Sequence, residues 1–74
     1  MDDWRKIVGR NVRRLRQTAG MTQEQLAFAA EIDLTYVGGI ERGKRNPSVL
    51  VLARIAKSLG TEPATLLDRE DSAG

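Results

Sequence analysis

The chain holds no histidine and no cysteine, so the usual general base, the thiol nucleophile and the common zinc-ligand sets are absent from its 74 residues. Its ten carboxylates are spread over caps and helix surfaces, and no glycine-rich phosphate loop has the required spacing. This points away from an enzyme, and from any metal or organic cofactor. The residues left to do chemistry do it through charge and hydrogen bonds. Lys44, Arg45, Asn46 and Ser48 crowd one short stretch around Pro47, with Gln23 and Tyr36 upstream. Cations, amides and hydroxyls placed in a loop and at helix starts suit the oxygens of a phosphate backbone. Blander roles stand beside this one: turn and capping chemistry for Asn46 and Ser48, solvated charge for Lys44 and Arg45, and packing for Tyr36.

The charge distribution supports a polyanion as partner. The formal net charge is only +2, but residues 1–57 carry 11 Lys/Arg against 6 Asp/Glu, while residues 58–74 carry 1 against 4. A basic body with an acidic end fits one face that binds a polyanion and an end that avoids it. Arg5, Lys6, Arg10, Arg13 and Arg14 read as a solvated basic face, with Arg13 or Arg14 near enough to flank a phosphate backbone. With 41% apolar residues and no apolar run near 18, nothing predicts a membrane span. No charged n-region followed by an apolar h-region opens the sequence, so cytoplasm is the expected compartment. The length suits one small domain over residues 1–68, with residues 69–74 as a flexible acidic tail.

The elements that must position these residues read as helices throughout. Gly20, Gly43, Pro47 and Gly60 punctuate periodic stretches, and strand alternation is absent. The first helix is predicted from about Asp3 to Ala19, with Trp4, Val8, Val12 and Leu15 as its inward stripe. The second starts at Thr22, where Gln25 completes a capping box and Met21 and Leu26 form a hydrophobic staple, and ends near Ala30. After a tight Glu31-Ile32 turn, Asp33 caps a third helix with Val37 and Ile40 facing inward and Gly43 closing it. A fourth opens at Ser48 and buries Val49, Leu52, Ile55, Ala56 and Leu59. A fifth begins at Thr61, with Pro63 in its first turn and Leu66 and Leu67 as anchors.

Two short helices joined by a tight turn, the first lined with alanine, describe a helix-turn-helix. The sequence Thr22-Gln23-x-x-Leu26-Ala27, then Ile40-Glu41-Arg42-Gly43, then Asn46-Pro47-Ser48 resembles the Xre family, of the Cro and cI phage-repressor type. The resemblance covers residues 7–67. Phe28, Thr35-Tyr36 and the short length are similar to the controller proteins of restriction–modification systems. It implies an all-α, compact five-helix bundle, with residues 34–42 as a recognition helix in the major groove of double-stranded DNA. Base contacts would come from Leu34, Thr35, Gly38 and Gly39. Leu34 and the glycines cannot make bidentate bonds to base edges, so shape and phosphate contacts should carry more of the recognition. Gly38 and Gly39 allow two readings, close approach of the backbone to DNA or close packing of the second helix on the third. The resemblance also implies that Arg16 and Glu41 form a partly buried structural ion pair. Phe28 allows two readings, an exposed patch or a lid over the first helix, and packing is expected.

The fourth and fifth helices carry more apolar side chains than one small core needs. Leu50, Val51, Leu66 and Leu67 are the expected dimer interface, although they could instead complete the monomer core. A two-fold dimer would present two recognition helices about 34 Å apart to a near-palindromic operator, with half-sites roughly 10 base pairs apart. The expected function is therefore a sequence-specific transcriptional regulator acting as a homodimer, without a small-molecule ligand. A protein-interaction module with weak or no DNA binding is the competing class, because fold alone does not decide between them.

Overall fold

The first helix forms where an acid caps a stretch free of proline. In the computed structural model, which describes residues 3–69, α1 runs Trp4–Thr18 and the Asp3 carboxylate accepts the Arg5 amide. Its buried side comprises Ile7, Val8, Gly9, Asn11 and Val12. The predicted stripe is right at Val8 and Val12 but runs off the body at its first turn. Trp4 is 46% exposed, with the Arg69 guanidinium 5.3 Å from its ring centroid. Gly9 has a steric role: a Cβ there would collide with the carbonyl oxygens of Ile40 and Glu41, so α1 can lie on the end of the third helix only without one.

Helix α2 spans Gln23–Ala30, and both arms of its capping box are made. The Gln25 amide donates to Thr22 Oγ1 at 3.0 Å, and the Thr22 amide donates to Gln25 Oε1 at 2.8 Å. Such a reciprocal cap satisfies two amides that the first turn otherwise leaves unpaired. The chain then reverses at Glu31, whose φ of 59° is left-handed, a conformation that costs a non-glycine residue about 1–2 kcal/mol. Helix α3 follows over Leu34–Glu41. Asp33 occupies its cap position but makes no side-chain cap hydrogen bond. Helix α4 covers Val49–Ser58, capped by the Ser48 hydroxyl, which accepts the Val51 amide at 3.1 Å.

The expected fifth helix is replaced by a single five-residue 3-10 turn, Pro63–Leu67. Thr61 does not start it; its amide instead closes the end of α4 on the Ala56 carbonyl at 2.9 Å. Glu62 is the cap residue and offers no side-chain hydrogen bond. The turn ends at Asp68, whose backbone is extended. The fold is therefore all-helical among the described residues, with four α-helices and a terminal turn.

Helix α3 packs between α1 and α2, while α4 packs on α2 and the 3-10 turn closes over α1 and α4. The core where they meet holds Val8, Val12, Leu26, Ala27, Ala30, Val37, Ile40, Ile55, Ala56 and Leu66. Val49, expected inside, is 76% exposed, because α4 turns its first residues away from this core.

One polar residue holds the terminal turn in place. Asn11 is fully buried, and its Nδ2 donates to the carbonyls of Leu66 at 2.9 Å and Asp68 at 2.8 Å. Its Oδ1 accepts from Arg14 Nη2 at 3.2 Å, so both ends of the amide are used. Replacing Asn11 with alanine strands those two carbonyls. We expect a loss of about 1–3 kcal/mol in urea denaturation, with faster amide exchange through the terminal turn. An unchanged midpoint would show that the turn is held by Leu66 alone.

Candidate nucleic-acid interface

The exposed side of α3 can serve as a reading surface only if the helix is held at a fixed height and rotation. A charged cluster at its end fixes both. Arg16 Nε meets Glu41 Oε2 at 2.6 Å and its Nη2 meets Oε1 at 3.0 Å, a two-pronged pair. Arg16 Nη1 donates to the Met21 carbonyl at 2.8 Å, and Gln23 Nε2 donates to Glu41 Oε1 at 2.9 Å. One carboxylate thus joins α1, the start of α2 and the end of α3. The side chains of Arg16 and Glu41 are only 11% and 3% exposed. The Glu41 hydrogen bonds push the guanidinium above its ordinary value, against the opposing effect of burial. Arg16 is accordingly turned inward, its guanidinium spent on Glu41 and the Met21 carbonyl.

The start of α3 is open. Leu34 is 42% exposed, Thr35 is exposed, and Tyr36 is half-buried against the core. After the helix, Gly43 adopts a left-handed φ of 74° and the chain folds back, with the Lys44 amide on the Gly39 carbonyl at 2.9 Å. This return brings Lys44 and Arg45 to the side of α3, and Lys44, Arg45 and Asn46 are all exposed. The Arg45 guanidinium lies 5.3 Å from the Tyr36 ring centroid, within cation–π range. Ser48 performs the capping role weighed for it, although its hydroxyl proton remains free to donate. Gln23 is less available than expected, since one of its amide hydrogens is committed to Glu41.

Three expectations need correction. Gly38 and Gly39 are not presented to solvent as contact surface; both are buried. What lies over them is the side chains of Arg42 and Arg45, with Gln23, the first residue of α2, at the edge of Gly38. Leu66, assigned to a dimer interface, is fully buried in the monomer core, whereas Leu50 is 74% and Leu67 44% exposed and Val51 is half-buried. Phe28, expected to pack, is 87% exposed. It borders an open groove between α2, α3 and α4, lined by Ala27, Ile32, Tyr36, Val51 and Arg54.

Arg42 was missed by sequence reasoning. Its signal was present as a glycine followed four residues later by an arginine on one helix face, where a long side chain can lie over a position with no Cβ. Among the described residues no group of carboxylates could hold a metal ion, and no helix is long and apolar enough to cross a membrane.

Comparison with known proteins agrees with this geometry. A family model described as helix-turn-helix matches residues 12–66. The chain is 43% identical over 65 residues to the control protein C.BamHI of Bacillus amyloliquefaciens, covering 86% of this chain and 80% of that protein. The crystal structure of the restriction–modification controller protein C.AhdI from Aeromonas hydrophila superposes with a TM-score of 0.81 at 42% identity, covering 84% of this chain and 94% of that one. The controller protein C.Esp1396I, solved as a tetramer with its natural 35 base-pair operator, superposes with a TM-score of 0.79 at 33% identity, covering 89% and 87%. The chain belongs to the Xre-type helix-turn-helix family, whose members are DNA-binding transcriptional regulators and not enzymes.

Proposed function

We propose that this protein regulates transcription by binding a near-palindromic operator as a homodimer, with α3 in the major groove and the 44–48 loop along the phosphate backbone. Its restriction–modification relatives support a controller role, and cytoplasm is the compartment in which such a regulator would meet its DNA. One observation carries the reading. Arg45 lies over Tyr36 in the first turn of α3, with exposed Lys44 and Asn46 on either side of it in the chain and the Ser48 cap next, so cations, an amide and a hydroxyl follow the open helix in one short exposed loop.

The contacts divide by role. Lys44, Arg45, Asn46, Ser48, the hydroxyl of Tyr36 and the remaining amide hydrogen of Gln23 face phosphates. Thr35 reads a base edge, and Leu34 offers an apolar contact to a thymine methyl. A duplex selected from a random-sequence pool tests this division. Lys44→Ala should weaken selected and random duplexes alike and lower the salt slope by about one unit. Thr35→Ala should instead remove roughly 1–3 kcal/mol of preference for the selected duplex, with little change on random DNA. Equal losses on both duplexes would remove Thr35 from base reading, and a wild type that binds no duplex would favour a protein-interaction module.

For the dimer, the exposed apolar side chains at the start of α4 and on the terminal turn are the natural contact. With Leu66 committed to the core, the interface reduces to Leu50 and Leu67 with Val51 at its edge, and exposed Val49 beside them. Leu50→Asp should convert a sedimenting dimer to a monomer and weaken operator binding, without loss of helix content. A wild type that stays monomeric at high micromolar concentration and binds its operator as one copy would refute this arrangement.

A further inference from the structure

Adjacent glycines inside a helix are costly, since each gives up helix propensity relative to alanine. Gly38 and Gly39 stand mid-helix in α3, and neither has the positive φ that would require glycine. Space explains them. A Cβ at Gly39 would lie 2.7 Å from Arg45 Cγ, 3.2 Å from its Nε and 3.5 Å from its Cδ. A Cβ at Gly38 would lie 3.1 Å from Arg42 Nη1, 3.9 Å from Gln23 Oε1 and 4.0 Å from Arg42 Cζ. Arg45 thus rests its aliphatic stem on Gly39 and its guanidinium on the Tyr36 ring. Tyr36 and Gly39 are three residues apart and share a helix face.

We infer that Gly39 is the seat of Arg45, a positioning residue which sets how tightly the protein engages DNA through that arginine. The inference rests on the DNA-facing role proposed above for α3. A long arginine loses rotamer freedom when a complex forms, and a side chain already laid down between a glycine and an aromatic ring loses less. The two glycines are not equivalent. A methyl group at 39 meets Cγ, so the whole Arg45 side chain must leave its seat. A methyl group at 38 meets only the far end of Arg42, which can yield by a few tenths of an ångström. Two rival causes would leave different patterns. Close approach of DNA backbone to α3 would penalise both positions alike, and helix propensity would reward both without touching binding.

Four variants decide the matter: Gly38→Ala, Gly39→Ala, Arg45→Ala and the Gly39→Ala/Arg45→Ala double. They are compared by binding to the selected duplex and by NMR of the DNA-free protein, where the Tyr36 ring current should shift the Arg45 side-chain protons upfield. Gly39→Ala should keep or raise the melting temperature, abolish that shift and weaken binding by roughly 3–10-fold. The double variant should bind no worse than Arg45→Ala alone, and Gly38→Ala should stay within about twofold of wild type. Should Gly39→Ala fail to fold, Tyr36→Leu compared with Tyr36→Phe removes the ring end of the seat and must show the same non-additivity with Arg45→Ala. A Gly39→Ala protein that binds like wild type, losses that add in full, or equal losses at both glycines would overturn the seat. So would the absence of any ring shift in the wild type, which requires no DNA and so separates failure of the seat from failure of the proposed function.

Discussion

The structure depends on one buried carboxylate. Glu41 sits at the last residue of α3 and receives Arg16 from α1 and Gln23 from α2, while Arg16 also takes the Met21 carbonyl before α2 begins. Burying two charges carries a large desolvation cost, and geometry this well matched offsets it without a large surplus. What the pair supplies is direction. The guanidinium fork donates to the carboxylate in one orientation, so the end of α3 is fixed relative to two other helices at once. Gly9 makes the arrangement possible by letting α1 lie directly on the Ile40 and Glu41 carbonyls.

The reading surface follows from that anchor. With its C-terminal end tied inward, α3 leaves its start, Leu34 and Thr35, exposed at the other end. The chain after Gly43 returns along the helix and lays Arg45 over Gly39 and Tyr36. The proposed recognition surface is thus assembled from a fixed helix and a loop folded back on it, in a chain with no cysteine to brace either. Exposed apolar side chains lie at the start of α4, on the terminal turn, which Asn11 holds closed, and at Phe28 of α2.

Much of this was legible in the sequence because caps and breakers act locally. Thr22 and Gln25 mark the start of α2, Ser48 marks α4, and Gly43 ends α3, and each needs only its neighbours to do so. The family could be read from short motifs, and the Arg16–Glu41 pair came with it. What escaped depended on contacts distant in sequence. A buried asparagine in an apolar stripe looks like a surface residue until the carbonyls of Leu66 and Asp68 are seen to meet it. Leu66 and Leu67 look alike in sequence, yet the 3-10 turn sends one into the core and leaves the other partly exposed. The two glycines suggested contact with DNA or with α2, because nothing local says that Arg42 and Arg45 fold back over them. Val49 and Phe28 fit apolar patterns, but the helix directions leave them outside.

The measurement that bears most directly on this account is a denaturation cycle on Arg16 and Glu41, read together with DNA binding. Arg16→Ala and Glu41→Gln should each lose stability, up to about 3–5 kcal/mol for a fully dry pair and less where water enters. A loss of that size approaches the whole stability of a small domain. The paired variant Arg16→Met/Glu41→Leu should recover most of it, because no charge is then left alone in the interior. DNA binding should fall in step with folding in the single variants. An Arg16→Ala protein as stable as the wild type, with only weaker DNA binding and a shallower salt slope, would instead make Arg16 a phosphate contact and remove the anchor on which the account rests.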